Sequence, residues 1–202
     1  EVNLEESEIT GSASGNYSLS FIGAHTTTAD ITKKDLSISG AFSAESKVYD
    51  GTDVATIEAG HNLDLSGVLA SDVGNVSLNP VANFEDEYVG NNKIVSLTNS
   101  TITGSESDNY NLLTTTPTTL ANITALELTI DGSFSADNKT YDATTLATIQ
   151  IGHTLTLNGV LPADAGNVTL SLEANFVDAN VGTGKEVNLE ESEITGSASG
   201  NY

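Results

Sequence analysis

The lysines of this sequence are few and regularly placed. Of six lysines, four form two matched pairs, Lys47 with Lys139 and Lys93 with Lys185, and the members of each pair stand 92 positions apart. The chain also holds 28 acidic residues and no arginine. A lysine that recurs at the same place in so acidic a chain indicates a specific partner.

Two kinds of partner are open for these lysines. One is a carboxylate such as Asp86 or Asp178, with which a lysine forms a modest ion pair. The other is the side-chain amide of Asn83 or Asn175, both of which precede a phenylalanine. Condensation of that amide with lysine would form an intramolecular isopeptide bond and release ammonia.

Recurring carboxylates raise the question of a cation site. Calcium takes carboxylate and carbonyl oxygens as ligands, and four turn-like aspartates recur between the repeats: Asp50, Asp142, Asp86 and Asp178. Their acidic neighbours do not recur, since Asp53 becomes Thr145 and Glu85 becomes Val177. Turn caps and solvated charges are the simpler interpretation, and calcium is the one cofactor that the sequence leaves open.

The usual constellations of catalysis are not recognisable. His61 and His153 occupy equivalent positions in different repeats, so they would meet only if the repeats folded back on each other. No serine lies in a nucleophile-elbow sequence, and a base with its orienting partner is not apparent. We expect no enzymatic activity.

Aromatic residues are scarce enough for their recurrence to mark core positions. The chain has five phenylalanines, six tyrosines and no tryptophan, and a buried aromatic ring dominates a small core. We expect the recurring aromatic residues to be structural anchors: Tyr49, Tyr141, Phe84, Phe176, Tyr17 and Tyr110.

Charge and composition restrict the partners of the chain. The formal net charge is −22, which disfavours binding to nucleic acid and to anionic lipid. No run of about 20 apolar residues predicts a membrane span. Cysteine is absent, so disulfides and zinc–thiolate sites are excluded.

A repeat of 92 positions organises the chain. Residues 40–69 match residues 132–161 without a gap. The sequence EVNLEESEITGSASGNY stands at both 1–17 and 186–202, whereas the copy at 94–110 agrees with it at 10 of 17 positions. Such self-similarity predicts a tandem array, here a window of a longer one in which alternate units agree.

The repeat divides the chain into three parts. Residues 1–32 (the leading segment) are the C-terminal part of a preceding repeat, residues 33–124 (the first module) are a complete repeat, and residues 125–202 (the second module) lack the last strands of one. Alternation runs through both boundaries, which predicts a stiff joint. Because an unpaired sheet edge is a template for another chain, we expect the leading segment of one molecule to complete the second module of another.

Short alternating runs bounded by turn residues predict strands throughout the first module. These runs are residues 35–43, 62–67, 75–78, 81–87, 93–102, 109–115 and 118–124. The sequences ASDV and PADA leave room for one short helical turn each, and the sequence therefore predicts a mostly β chain.

Four motifs carry a resemblance to a known family. KVYDGT, LSGVLASDVGNVSL, NFEDEYVGNNK and TGSESDNYNL, in this order, resemble the YDG-type and related MBG repeats of very large bacterial surface proteins and adhesins. The resemblance implies small mostly-β modules, β-grasp-like or β-sandwich-like, joined end to end, and no enzyme. The second copy has Ala143 where the first has Gly51, which predicts that this position does not require a positive φ.

The resemblance and the repeat together give the expected function. We expect an extracellular protein of the bacterial cell surface, in which these modules form the stalk that projects a binding domain. The alternative is a set of weak binding modules for glycan, host protein or calcium that gain affinity by multivalency. Expected partners are neighbouring repeats of the same chain and further copies in head-to-tail contact, without nucleic acid or membrane insertion.

Overall fold

The computed structural model of the chain describes residues 2–4, 7–23, 26–114 and 116–202. Its regular structure across these ranges is β-strand together with short 3-10 helices, without an α-helix, so the predicted β class is confirmed. The 3-10 helices are Ser14–Asn16, Ala70–Asp72, Ser107–Asn109, Pro162–Asp164 and Ser199–Asn201. In the part of the chain described, no helix is long and apolar enough to cross a membrane.

The leading segment carries two very short strands. Strand β1 (Val2–Asn3) pairs antiparallel with β2 (Thr26–Thr27), and Val2 lies opposite Thr27. The described residues that follow, through Thr32, are exposed. The described residues of the segment therefore pair as strands but contribute no buried apolar side chain.

The first module contains the most extensive sheets. Its described residues form β3 (Lys34–Ser39), β4 (Lys47–Val48), β5 (Val54–Ala55), β6 (Asp64–Ser66), β7 (Ser77–Asn79), β8 (Ala82–Phe84), β9 (Gly90–Ser96), β10 (Thr101–Thr103), β11 (Tyr110–Leu112) and β12 (Thr118–Thr124). The sheet orders are β11-β3-β6, β4-β12-β9-β8-β5 and β10-β7. Strand β12 is an inner strand of the largest sheet, since it pairs antiparallel with β9 and parallel with β4.

The core of this module lies between its two larger sheets. Alternation along β12 buries Ala121 and Ile123, because successive side chains of a strand point to opposite faces. These two side chains pack in one cluster with Val95 of β9 and with Ile38 of β3, which belongs to the other sheet. A core enclosed by two sheets corresponds to the sandwich-like alternative.

One predicted strand is in fact two. Residues 93–102 read as a single alternating run, but β9 ends at Ser96 and β10 begins at Thr101. A turn intervenes, in which the Ser100 amide donates to the Leu97 carbonyl at 3.0 Å. The reversal allows β10 to pair with β7 while β9 stays between β8 and β12.

The second module repeats much of this plan. Its strands are β13 (Thr129–Asp131), β14 (Leu146–Ala147), β15 (Thr156–Asn158), β16 (Thr169–Ser171), β17 (Ala174–Phe176), β18 (Val187–Asn188) and β19 (Glu193–Thr195). Strands β13 and β18 are shorter than their counterparts β3 and β9. Strand β18 has two residues, and residues 139–140, which match β4, form no strand.

The third position of the YDG motif requires a positive φ in both modules, whether it is glycine in the first (Gly51) or alanine in the second (Ala143). Gly51 has φ +74°, and Ala143 at the equivalent position has φ +64°. The expectation that this position does not need positive φ is therefore wrong: the turn imposes the left-handed conformation on alanine as well.

Replacing Ala143 by glycine is expected to stabilise the second module. An L-residue in the left-handed region costs about 1–2 kcal/mol that glycine avoids, part of which the greater entropy of glycine in the unfolded chain offsets. We expect a net gain of about 1 kcal/mol in the free energy of unfolding by urea titration. The reciprocal Gly51→Ala variant is the control and should lose stability; equal stabilities for all three proteins would contradict this account.

Candidate functional site: the joint between the modules

Residues 49–52 of the first module and the equivalent residues 141–144 of the second form what we call the YDG turns. A recurring lysine holds each of these turns together. The ammonium of Lys47 donates to Asp50 Oδ1 at 2.8 Å and to the carbonyls of Thr52 and Val54 at 2.7 and 3.0 Å. It also lies 5.7 Å from the centre of the Phe84 ring, within the range of a cation–π contact. One lysine thus satisfies the carboxylate and the carbonyl groups of a tight turn.

The second module builds the same turn. Lys139 lies 3.0 Å from Asp142 and donates to the carbonyls of Thr144 and Leu146 at 2.8 and 2.9 Å. Hydrogen bonds to Asp142 from the Thr144 amide, and then from Lys139, lower the pKa of its carboxyl from 3.8 to about 2. For Asp50, partial burial raises the pKa, but hydrogen bonds from Lys47 and Thr52 outweigh it and bring the pKa below its ordinary value.

The second pair of recurring lysines forms ion pairs across a hairpin. Lys93 donates to Asp86 Oδ1 at 2.6 Å, and Lys185 donates to the equivalent Asp178. The hydrogen bond from each lysine is the main cause of the lowered pKa of its aspartate. Lys93 is only 7% exposed, so Asp86 largely takes the place of water as the partner of its ammonium group.

The asparagine amides have other partners. Asn83 Oδ1 accepts from Asn99 Nδ2 at 3.0 Å, and Asn175 Oδ1 accepts from Thr145 Oγ1 at 3.1 Å. Of the two chemistries open to the lysines, the geometry thus gives the ion pair, and the isopeptide bond gains no support from it.

The four aspartates considered for calcium are the partners of the four lysines. Each carboxylate lies against an ammonium group, and those of Asp50 and Asp142 also accept bonds from their own turns. Nowhere in the described ranges do three or more His, Asp or Glu side chains converge as a group that could hold a metal ion. These four aspartates therefore recur because they occupy the same places in the turns and hairpins of both modules.

The joint between the modules is built around Tyr49, the tyrosine of the first YDG turn. Its hydroxyl donates to Asp164 Oδ2 of the second module at 2.9 Å, and Tyr202 donates to the same oxygen at 2.7 Å. The two rings meet edge to face, with centroids 5.6 Å apart and planes at 81°, a favoured geometry for aromatic pairs. One carboxylate thus ties together tyrosines of neighbouring modules.

Backbone and apolar contacts extend this joint. The buried Asn201 accepts from the Val89 amide of the first module through Oδ1 at 3.2 Å, and its carbonyl accepts from the Leu126 amide at 3.0 Å. Leu161 and Tyr202 pack against the core of the first module. The apolar core therefore continues across the joint instead of ending at the module boundary.

Comparison with known proteins agrees with the repeated architecture. The YDG domain family matches residues 32–119 and again residues 124–202. The chain belongs to the YDG domain family. No curated protein and no solved structure matches the chain.

The burial of the predicted anchors depends on their place in the pair of YDG modules. Tyr49, Phe84 and Tyr110 are buried as predicted. The prediction is wrong for Tyr141, which is 62% exposed, and for Tyr17, which is 72% exposed. Tyr141 matches Tyr49, but in the described part of the chain no ring packs against Tyr141 as that of Tyr202 packs against Tyr49.

Each YDG module also carries the acceptor half of a joint. In the first module Tyr110 donates to Asp72 Oδ2 at 2.6 Å and accepts from the Leu69 amide at 3.1 Å, as Tyr202 does with Asp164 and Leu161. Asp72 and Asp164 also recur in the sequence, 92 positions apart, and were not among the predicted site residues. The recurrence of both aspartates, together with that of the matching tyrosines, was the sequence signal that could have identified this contact.

The joint is expected to weaken at high pH. Burial, followed by the hydrogen bond to Asp164, raises the pKa of Tyr49 from 10.0 to about 12. The stabilisation from the neutral hydroxyl is therefore complete below pH 10 and is lost as the pH rises through about 12. In urea titrations at increasing pH, the stability advantage over Tyr49→Phe should shrink between these values; a constant difference would contradict it.

Proposed function

We propose that these YDG modules are spacer repeats in the stalk of a secreted bacterial surface adhesin. Their task would be mechanical: modules fixed end to end hold a terminal binding domain away from the cell. The observation that carries the proposal is the joint, in which Tyr49, Asp164 and Tyr202 lock one module to the next.

The short connection supports a stiff spacer. Strand β12 ends at Thr124 and β13 begins at Thr129, and the Leu126 amide between them is bonded to Asn201. A connection this short and this well bonded leaves little freedom for one module to rotate against the other. The stability of such an array is approximately a sum over modules and joints.

The charge suits an extracellular stalk present in many copies. With a net charge of −22, neighbouring stalks would repel each other sideways and remain soluble. The contacts at the joint do not require attraction between oppositely charged modules, because they are made by aromatic and apolar side chains, one carboxylate and the hydrogen bonds of Asn201.

Small-angle scattering at several concentrations, in calcium and in chelator, tests this proposal. Extrapolated to infinite dilution, a spacer should give the profile of one extended and rigid particle in both conditions. A flexible particle that stiffens only with calcium would contradict the proposal and favour a metal-regulated array of weak binding modules.

A further inference from the structure

Two aspartate–glycine pairs occur in the chain, and the structure holds them differently. They are Asp50–Gly51 in the first YDG turn and Asp131–Gly132 at the end of β13. At such a pair the amide nitrogen of the glycine can attack the carboxyl carbon of the aspartate, because glycine has no Cβ to obstruct the approach. The rate of this attack depends on how closely the nitrogen and the carboxyl group are held.

In the pair Asp131–Gly132 the two reacting groups are in contact. The Gly132 amide donates a hydrogen bond to Asp131 Oδ1 at 2.7 Å, and the carboxyl carbon is bonded directly to that oxygen. Both residues are exposed, so water reaches them. The contact thus places the amide nitrogen beside the carbon that it would attack.

In the pair Asp50–Gly51 other groups hold the carboxylate. Asp50 Oδ1 accepts from the amide and the hydroxyl of Thr52 at 2.9 and 2.8 Å, and from the Lys47 ammonium at 2.8 Å. These three bonds direct the carboxylate to the residue beyond the glycine. The first YDG turn therefore has the reactive sequence without the reactive contact.

Asp64 has the contact without the glycine. The Leu65 amide donates to Asp64 Oδ1 at 2.8 Å, much as the Gly132 amide does to Asp131. The leucine side chain begins on the carbon next to the reacting nitrogen, however, and obstructs its approach. Of these three aspartates, Asp131 alone combines the contact with an unobstructed nitrogen.

We infer that Asp131 is a site of spontaneous isoaspartate formation. The Gly132 nitrogen bonds to the carboxyl carbon of the protonated Asp131 side chain, and the carboxyl hydroxyl leaves as water with the amide hydrogen, which gives a cyclic imide. Water then opens the imide at either carbonyl. Opening at the side-chain carbonyl restores aspartate, whereas opening at the main-chain carbonyl gives isoaspartate, in which the main chain runs through Cβ. The mass of the protein is the same before and after.

Isoaspartate lengthens the main chain at a place with little room. Asp131 lies opposite Thr156 in the pairing of β13 with β15, and a Cβ on Gly132 would lie 2.3 Å from the Thr154 carbonyl oxygen. An additional main-chain atom therefore displaces Gly132 from Thr154 and disturbs the end of this pairing. Strand β3, the counterpart of β13, ends in serine before its glycine, and serine has no carboxyl group to form the imide.

Peptide mapping of the 202-residue chain after prolonged incubation in mildly acidic buffer tests the inference. Fragmentation by electron transfer distinguishes isoaspartate from aspartate at each position. In the folded chain we expect at least about tenfold more isoaspartate at Asp131 than at Asp50, because only Asp131 is held against its glycine amide. Asp64 should show none above background. In concentrated urea, where the contacts of the fold are lost, Asp50 and Asp131 should react at similar rates.

The first module supplies matched control residues for the effect on stability. Asp131→Ser installs the serine that stands at this place in β3, and Asn158→Ser does the same for the asparagine–glycine pair at the end of β15, whose deamidation would otherwise add to the change. After incubation, an Asn158→Ser protein should have lost stability in urea titration in proportion to its isoaspartate. The protein with both changes should keep its stability.

Either of two results would overturn the inference: equal amounts of isoaspartate at Asp50 and Asp131 in the folded chain, or an Asp131 that stays unmodified there while the chain in urea reacts. Neither result would touch the spacer proposal, which concerns the joint between the modules.

Discussion

Replacing Tyr49 by alanine is expected to cost about 3–5 kcal/mol in the free energy of unfolding, the range for truncating a buried aromatic residue. The side chain is 4% exposed, and its ring and hydroxyl both contact the second module. The loss therefore includes the coupling between modules as well as packing in the first. Urea titration measures the loss, and calorimetry should show the two modules unfolding in separate transitions.

The repeat supplies a matched control for this experiment. Tyr141→Ala makes the same change at the equivalent position, where the side chain is largely exposed, and should alter stability by less than about 0.5 kcal/mol. Tyr49→Phe keeps the ring and removes the hydrogen bond to Asp164, with an expected loss of about 1.5 kcal/mol. Equal losses in Tyr49→Ala and Tyr141→Ala would contradict the assignment of Tyr49 to the joint.

The second large effect is expected from Asp86→Ala. This change leaves the buried Lys93 without the only hydrogen-bond acceptor seen for its ammonium among the described residues. We expect a loss of about 2 kcal/mol, below the roughly 3–5 kcal/mol of a fully buried pair because Asp86 itself is partly solvated. Urea titration of the single variant measures it.

Asp178→Ala is the matched control in the second module. Lys185 is more exposed than Lys93 and keeps a hydrogen bond to the Asn180 carbonyl at 2.7 Å, so its loss should be clearly smaller. An Asp86→Ala protein as stable as the parent would show that the ion pair does not secure the hairpin.

The intact mass of the parent protein should equal the mass calculated from the sequence, whereas a deficit of one ammonia would indicate an isopeptide bond.

Local patterns predicted the strands best where alternation and burial coincide. Strand β12 has the predicted bounds, Thr118–Thr124, because the buried Ala121 and Ile123 alternate with less buried residues. The turn at Leu97–Ser100 was missed because branched residues continue the β pattern on both sides of it. The tertiary pairing of β10 with β7 decides that turn, and no local window contains it.

The candidate site was predictable in part. Recurrence picked out the lysines and aspartates, and the structure pairs them within each turn or hairpin, over three or seven positions. Recurrence did not distinguish Tyr49 from Tyr141, because the burial of Tyr49 depends on its contacts with the second module. The joint joins residues 115 positions apart, Tyr49 and Asp164, and spacing alone gives no indication of such a contact.

A distance measurement within one molecule tests the central claim, that the joint fixes one module against the next. Nitroxide labels on Val73→Cys and Ile151→Cys, both at exposed positions in different modules, report it in a chain without other cysteines. Dilution of the labelled chain into unlabelled chain keeps the measured distance within one molecule. A fixed joint predicts one narrow distance distribution that broadens in Tyr49→Ala, under conditions where both modules remain folded. A broad distribution in the protein with an intact Tyr49, or a narrow one that Tyr49→Ala leaves unchanged, would contradict the account.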